Sequence, residues 1–123
     1  MIEGVVNAVR EAIVELTVMG TAGRSKRVAF VVDTGFDGGI TLPSSIAGEL
    51  ELPTKGSGVV TLGDGSQTDY DFTEAFVSWN GRPRRVMVDI AETFPLLGMR
   101  LMEGHELRVD VVRSGRVTIT PFS

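Results

Sequence analysis

At 123 residues the chain has the length of one domain able to bury a core unaided, and residues 1–123 are expected to form a single domain. With no cysteine and one histidine it lacks the ligands for a disulfide framework or a thiolate metal site, so any catalysis is expected to use oxygen chemistry without metal or cofactor. A net charge of -4 argues against nucleic acid or anionic lipid as a partner, since both require a concentrated positive surface.

The N-terminus shows no basic stretch followed by an apolar core and a small-residue cleavage site. No apolar run approaches the roughly 18 residues of a spanning helix, so a soluble, cytoplasmic protein without membrane contact is expected. Strands are predicted over Val5 to Val9 and over Ala12 to Met19, where Val14, Leu16 and Val18 share one face and Glu15 and Thr17 the other. After a small, polar turn, the unbroken apolar run Val28 to Val32 suits a strand buried on both faces and ends in Asp33, Thr34, Gly35. Beyond Gly38 and Gly39 come Ile40 to Pro43. A short helix follows, capped by Ser44 or Ser45, turning Ile46, Ala47 and Leu50 inward.

Val59 to Leu62 and Thr68 to Phe72 flank Gly63, Asp64, Gly65, Ser66, which predicts a hairpin with a glycine-rich tip. A second hairpin turns at Asn80-Gly81, the pair that best tolerates two positive φ angles, between strands carrying Phe76 and Trp79 and Val86, Val88 and Ile90. The apolar face switches between Tyr70, Phe72 and Ala75, Val77, Trp79, which predicts a bulge near Glu74. A short helix is expected from Met99 to about Gly104. A last pair, Val109 to Val112 with Val117 to Thr120, turns at Ser114-Gly115. Many strands, two short helices and no βαβ alternation favour an all-β, closed or sandwich-like fold.

An acidic residue at the end of a continuously apolar strand needs explaining, because a buried carboxylate loses its hydration and must find partners or stay protonated. Read alone, Asp33-Thr34-Gly35 fits a turn in which the Asp side chain accepts the N–H two residues on. In context it resembles the active-site triplet of retroviral-type aspartic proteases: it follows a buried strand, and Leu96, Leu97, Gly98 stand where that family has two apolar residues and a glycine. Asp33-Thr34-Gly35-Phe36, Ile40 to Pro43, Leu96 to Met99 and Val109-Asp110-Val111 are most similar to small prokaryotic members of that clan, over about Val14 to Ile119.

The resemblance implies a closed-barrel-like retropepsin fold with weak internal duplication and a homodimer acting on a peptide or protein substrate. The chemistry needs two carboxylates and the chain offers one such triplet, so a two-fold axis would bring Asp33 of each subunit face to face. By resemblance Thr34 crosses that axis to the partner loop, and Gly35 lets its backbone approach the carboxylates. The hairpin at about 59–72 becomes a flap with Gly63, Asp64 and Gly65 at its tip, and Phe36 narrows the subsite beside the dyad or fills the core. A silent peptide-binding or partner-binding dimer of the same fold is the alternative. Among the remaining residues, His105 reads as a satisfied surface group, Trp79 and Tyr70 as packing, and Asp37 as a loop acid. Asp69 and Asp71 read as a solvent face, and Arg82, Arg84 and Arg85 as a solvated hairpin end.

Overall fold

The computed structural model describes residues 1–122. The elements in chain order are β1 (Ile2–Val6), β2 (Ala12–Met19), β3 (Ser25–Val32), β4 (Ile40–Leu42), α1 (Ser44–Glu49), β5 (Gly56–Thr61), β6 (Gln67–Trp79), β7 (Arg82–Ile90), β8 (Leu96–Leu97), α2 (Met99–Met102), β9 (His105–Val109) and β10 (Arg116–Pro121). They form one sheet in the order β5-β6-β7-β4-β8-β3-β2-β1-β10-β9, and a further pairing of β6 with β2 closes it on itself. The result is the expected all-β closed barrel with two short helices.

Period-2 patterning sets the core. Val14, Leu16 and Val18 of β2 point inward with Phe30, Ile40, Leu42, Val77, Val88, Leu97 and Ile119, while Glu15 is exposed. The Asn80-Gly81 turn has both φ angles positive, 52° and 78°, as a two-residue hairpin requires. No bulge occurs near Glu74: β6 pairs β7 without interruption through Thr73↔Val88, Glu74↔Met87 and Ala75↔Val86. The apolar face switches for another reason. Below Thr73 the strand leaves the barrel and becomes a hairpin arm with β5, and there Tyr70 and Phe72 pack across Gly58 and Gly56.

Other boundaries also move. The first strand is Ile2–Val6, because Asn7 turns the chain by accepting the N–H groups of Val9 (3.1 Å) and Glu11 (2.9 Å) on its side-chain oxygen. The ninth strand ends at Val109, leaving Val111 and Val112 exposed in the turn. Neither serine caps α1: Pro43 is its N-cap residue, and the Ser44 N–H donates to the Glu92 carboxylate at 2.8 Å. His105 is only half-buried, and its environment is fixed. The Trp79 indole can only donate, so its 3.1 Å bond makes His105 Nε2 the acceptor and leaves Nδ1–H to donate to the Glu103 carbonyl at 3.0 Å.

The duplication is visible in space. β3, a loop, β4 and α1 repeat as β7, a loop, β8 and α2, and each half lends its short strand to the other. β8 runs parallel to β3 through Val31↔Leu96 and Val32↔Leu97, and β4 runs parallel to β7 through Ile40↔Val88, Thr41↔Asp89 and Leu42↔Ile90. Where the halves cross, the buried Thr41 hydroxyl accepts the Leu96 N–H at 2.9 Å. Replacing Thr41 by Val keeps the volume but orphans that amide. A stability loss of about 2 kcal/mol is expected, read as a lower urea midpoint at unchanged slope.

Candidate active site

The apolar β3 carries the chain out of the core to Asp33, and parallel pairing with β8 fixes where it emerges. The Val31 N–H donates to the Pro95 carbonyl and the Asp33 N–H to the Leu97 carbonyl, both at 2.9 Å. Asp33 is half-buried, and Thr34 and Gly35 are exposed. The Gly35 N–H donates to Asp33 Oδ1 at 2.9 Å, the turn bond expected from sequence. It is the one side-chain hydrogen bond of Asp33 among the described residues, so much of the carboxylate's capacity to accept is unused.

The loop that follows is clamped by the start of α2. Helix N-termini present amides without intrahelical partners. Here Gly98 N–H donates to the Gly39 carbonyl (2.7 Å), Met99 N–H to Phe36 (2.8 Å) and Arg100 N–H to Gly38 (3.1 Å). The contact is close enough to require glycine: a Cβ on Gly98 would lie 2.2 Å from the Gly38 carbonyl oxygen and 2.6 Å from Phe36 Cδ2. A Cβ on Gly38 would in turn lie 2.6 Å from Phe36 Cζ. The Phe36 ring therefore lies across the Gly38 and Gly98 backbones, packing the loop against α2. This clamp was not read from the sequence; Gly38-Gly39 and Gly98 after two apolar residues were its trace.

The arm made by β5 and β6 carries the other candidate residues. At its tip the Leu62 N–H donates to the Ser66 carbonyl (2.7 Å) and the Gly65 N–H to Leu62 (2.9 Å), with Gly65 at φ 88°. Asp64 closes this turn by accepting the Ser66 hydroxyl at 2.5 Å and the Ser66 amide at 2.9 Å. Those two bonds, the hydroxyl foremost, hold its carboxyl below the usual carboxylate range. Space around Gly63 is open. Val59, Val60 and Leu62 are exposed along the arm, an apolar surface without cover in the isolated chain.

Two further carboxyls are displaced. Burial, and then the charge of Asp37, pushes Asp89 up; bonds from Ser44, the hydroxyl first and then the amide, pull Glu92 down. Asp69 and Asp71 are exposed, and Asp71 accepts the Ser57 hydroxyl at 2.8 Å. Among the described residues no group of three or more His, Asp or Glu side chains is placed to hold a metal ion, and no helix is long and apolar enough to cross a membrane.

Neither a protein-family model nor a curated protein matches this chain. Among solved structures, a retropepsin-like aspartic protease from Rickettsia conorii superposes with a TM-score of 0.64 at 18% identity, covering 98% of this chain and 89% of that one. Nearly the whole chain is included, and so the barrel, its crossed short strands and its hairpin arm together constitute the retropepsin-like fold.

Proposed function

We propose that the chain is one subunit of a homodimeric aspartic endopeptidase in which Asp33 of each subunit forms the catalytic pair. The observation that carries this reading is the setting of Asp33. A half-buried carboxylate sits on a loop fastened to β8 and α2 by main-chain bonds, with Thr34 and Gly35 exposed beside it. Rigid mounting and an open face are what a shared site requires.

In such a dimer, two carboxylates a few ångströms apart cannot both ionise cheaply, so the pair holds one proton. The ionised oxygen takes a proton from a water held between the groups, and the protonated one polarises the scissile carbonyl. Thr34 reaches the partner loop across the axis. Gly35 continues to donate to Asp33 and holds the carboxylate's orientation. The arm with Gly63, Asp64 and Gly65 at its tip closes over a peptide, and Val60 and Leu62, which share one face of it, supply apolar surface that excludes water. Phe36 supports the loop from behind, so its contribution to substrate binding is to hold the subsite wall in place.

Subunit mixing tests the shared site. Wild type and Asp33→Asn chains, combined in equal amounts and allowed to exchange, pair at random, leaving about a quarter of dimers with two native carboxylates. Activity per wild-type chain is expected to fall to about half, and to fall again on dilution below the dimer dissociation constant. Constant activity per wild-type chain through demonstrated exchange and through dilution into monomer would place catalysis within a single subunit.

A further inference from the structure

A cavity of about 180 Å³ opens where one edge of β7 has no strand beside it. β4 pairs with β7 only along Val88, Asp89 and Ile90, so among the described residues the run 82–87 has no strand partner on that side. Gly39, the stretch 84–87 of β7, and Arg100 and Leu101 of α2 wall the gap.

Arg84, Arg85 and Arg100 line the cavity beside a single carboxylate, Glu74, in a chain whose net charge is -4. Arg84, expected on a solvated hairpin end, is half-buried: its Nη1–H donates to the Leu101 carbonyl at 2.8 Å, and the guanidinium lies 5.6 Å from the Trp79 ring centroid. These contacts hold it in place. Arg85 meets the cavity's carboxylate, Glu74, at only 3.5 Å, and Arg100 has no side-chain hydrogen bond or ion pair among the described residues. Buried Val86 and Leu101, with Met87, provide apolar surface.

Charged side chains can serve simply to keep a foreign strand off a sheet edge. That role needs outward charges, whereas Arg84 is turned inward against Leu101 and held there. We propose that this cavity binds a carboxylate borne on a small branched apolar body, either a free aliphatic acid or the C-terminal residue of a peptide. Arg84, held by Leu101 and Trp79, offers its remaining N–H groups, Arg100 adds a second guanidinium from α2, and Arg85 exchanges its long contact with Glu74 for the ligand. The space is several times the roughly 10–15 Å³ that a single water needs, so a small aliphatic acid can enter it. The inference stands on this cavity alone, independently of the Asp33 pair.

The test is an NMR titration of the full chain, following backbone amides and the Trp79 indole N–H, with isovalerate in one arm and acetyl-Ala-Val-Val in the other. Isovaleramide and the C-terminally amidated peptide are the neutral controls. At least one carboxylate is expected to give saturating shifts at Gly39, Val86, Leu101 and the Trp79 indole, with neither amide doing so. The arm that saturates identifies the source. Arg100→Ala, which removes an exposed side chain and leaves the remaining spectrum in place, is expected to weaken binding roughly tenfold through loss of a charge-assisted contact. Absence of saturation by both carboxylates, equal shifts from the amides, or unchanged affinity in both Arg100→Ala and Arg85→Ala would overturn the proposal.

Discussion

Replacing Asp33 with asparagine is expected to lower peptide-bond cleavage about 1,000-fold or more, the scale of losing a general acid–base group, while leaving the fold intact. The two halves of that expectation have separate causes. Asn keeps the shape of the side chain and an oxygen able to accept the Gly35 N–H, now 2.9 Å from Asp33 Oδ1, so the turn survives. It has no titratable proton to share, so in the proposed dimer a pair containing it could neither activate water nor polarise a carbonyl. Peptide-library digestion beside a circular-dichroism melt reads both. Near-normal cleavage by a well-folded Asp33→Asn protein would remove Asp33 from the chemistry.

Gly98→Ala is expected to cost about 3 kcal/mol, the upper part of the range for overpacking, and to abolish cleavage even where the chain still folds. The added methyl would meet the Gly38 carbonyl oxygen at 2.2 Å, and that atom is backbone that cannot rotate aside. Relief requires the 36–39 loop to withdraw from α2, stretching the bonds from Gly98, Met99 and Arg100 that hold it. Asp33 lies three residues before that loop, so its carboxylate would lose part of its mounting, and in the proposed catalytic role small misplacements would cost rate steeply. Chemical denaturation gives the stability loss. Gly48→Ala is the matched control, because a Cβ there meets nothing within 4 Å. Equal stability of Gly98→Ala and wild type would show that the clamp is looser than its geometry implies.

The two variants fail at different levels. Asp33→Asn tests the proposed chemistry within an unaltered frame. Gly98→Ala tests the frame itself, which does not depend on any assigned activity.

What the sequence by itself determined about this protein is what a few neighbouring residues settle among themselves. The alternation in β2 decides which side chains enter the core, because successive side chains in a strand point to opposite faces. Asn80-Gly81 specifies its turn through two positive φ angles. Asp33 at the end of an apolar run announced a carboxylate in need of a partner, and its bond to Gly35 is equally local. The all-β class was legible for the same reason, as a sum of short-range signals, whereas a closed barrel rather than a sandwich was expected only from the resemblance carried by Asp33-Thr34-Gly35 and Leu96-Leu97-Gly98.

Only the tertiary structure decided the rest, because it depends on contacts between residues far apart in the chain, and such contacts leave no periodic mark. Glu92 in place of a serine cap for α1, the Thr41 hydroxyl on Leu96, and the α2 amides on the 36–39 loop are each of this kind. The face switch in β6 looked like a bulge because the sequence records alternation but not where a strand leaves its barrel to become an arm. Arg84 looked like one charge in a short solvated run. Its inward turn onto the Leu101 carbonyl could not be seen until β7 was packed beside α2, where an orphaned carbonyl and an aromatic face stabilise a guanidinium that its own neighbours would have left in water.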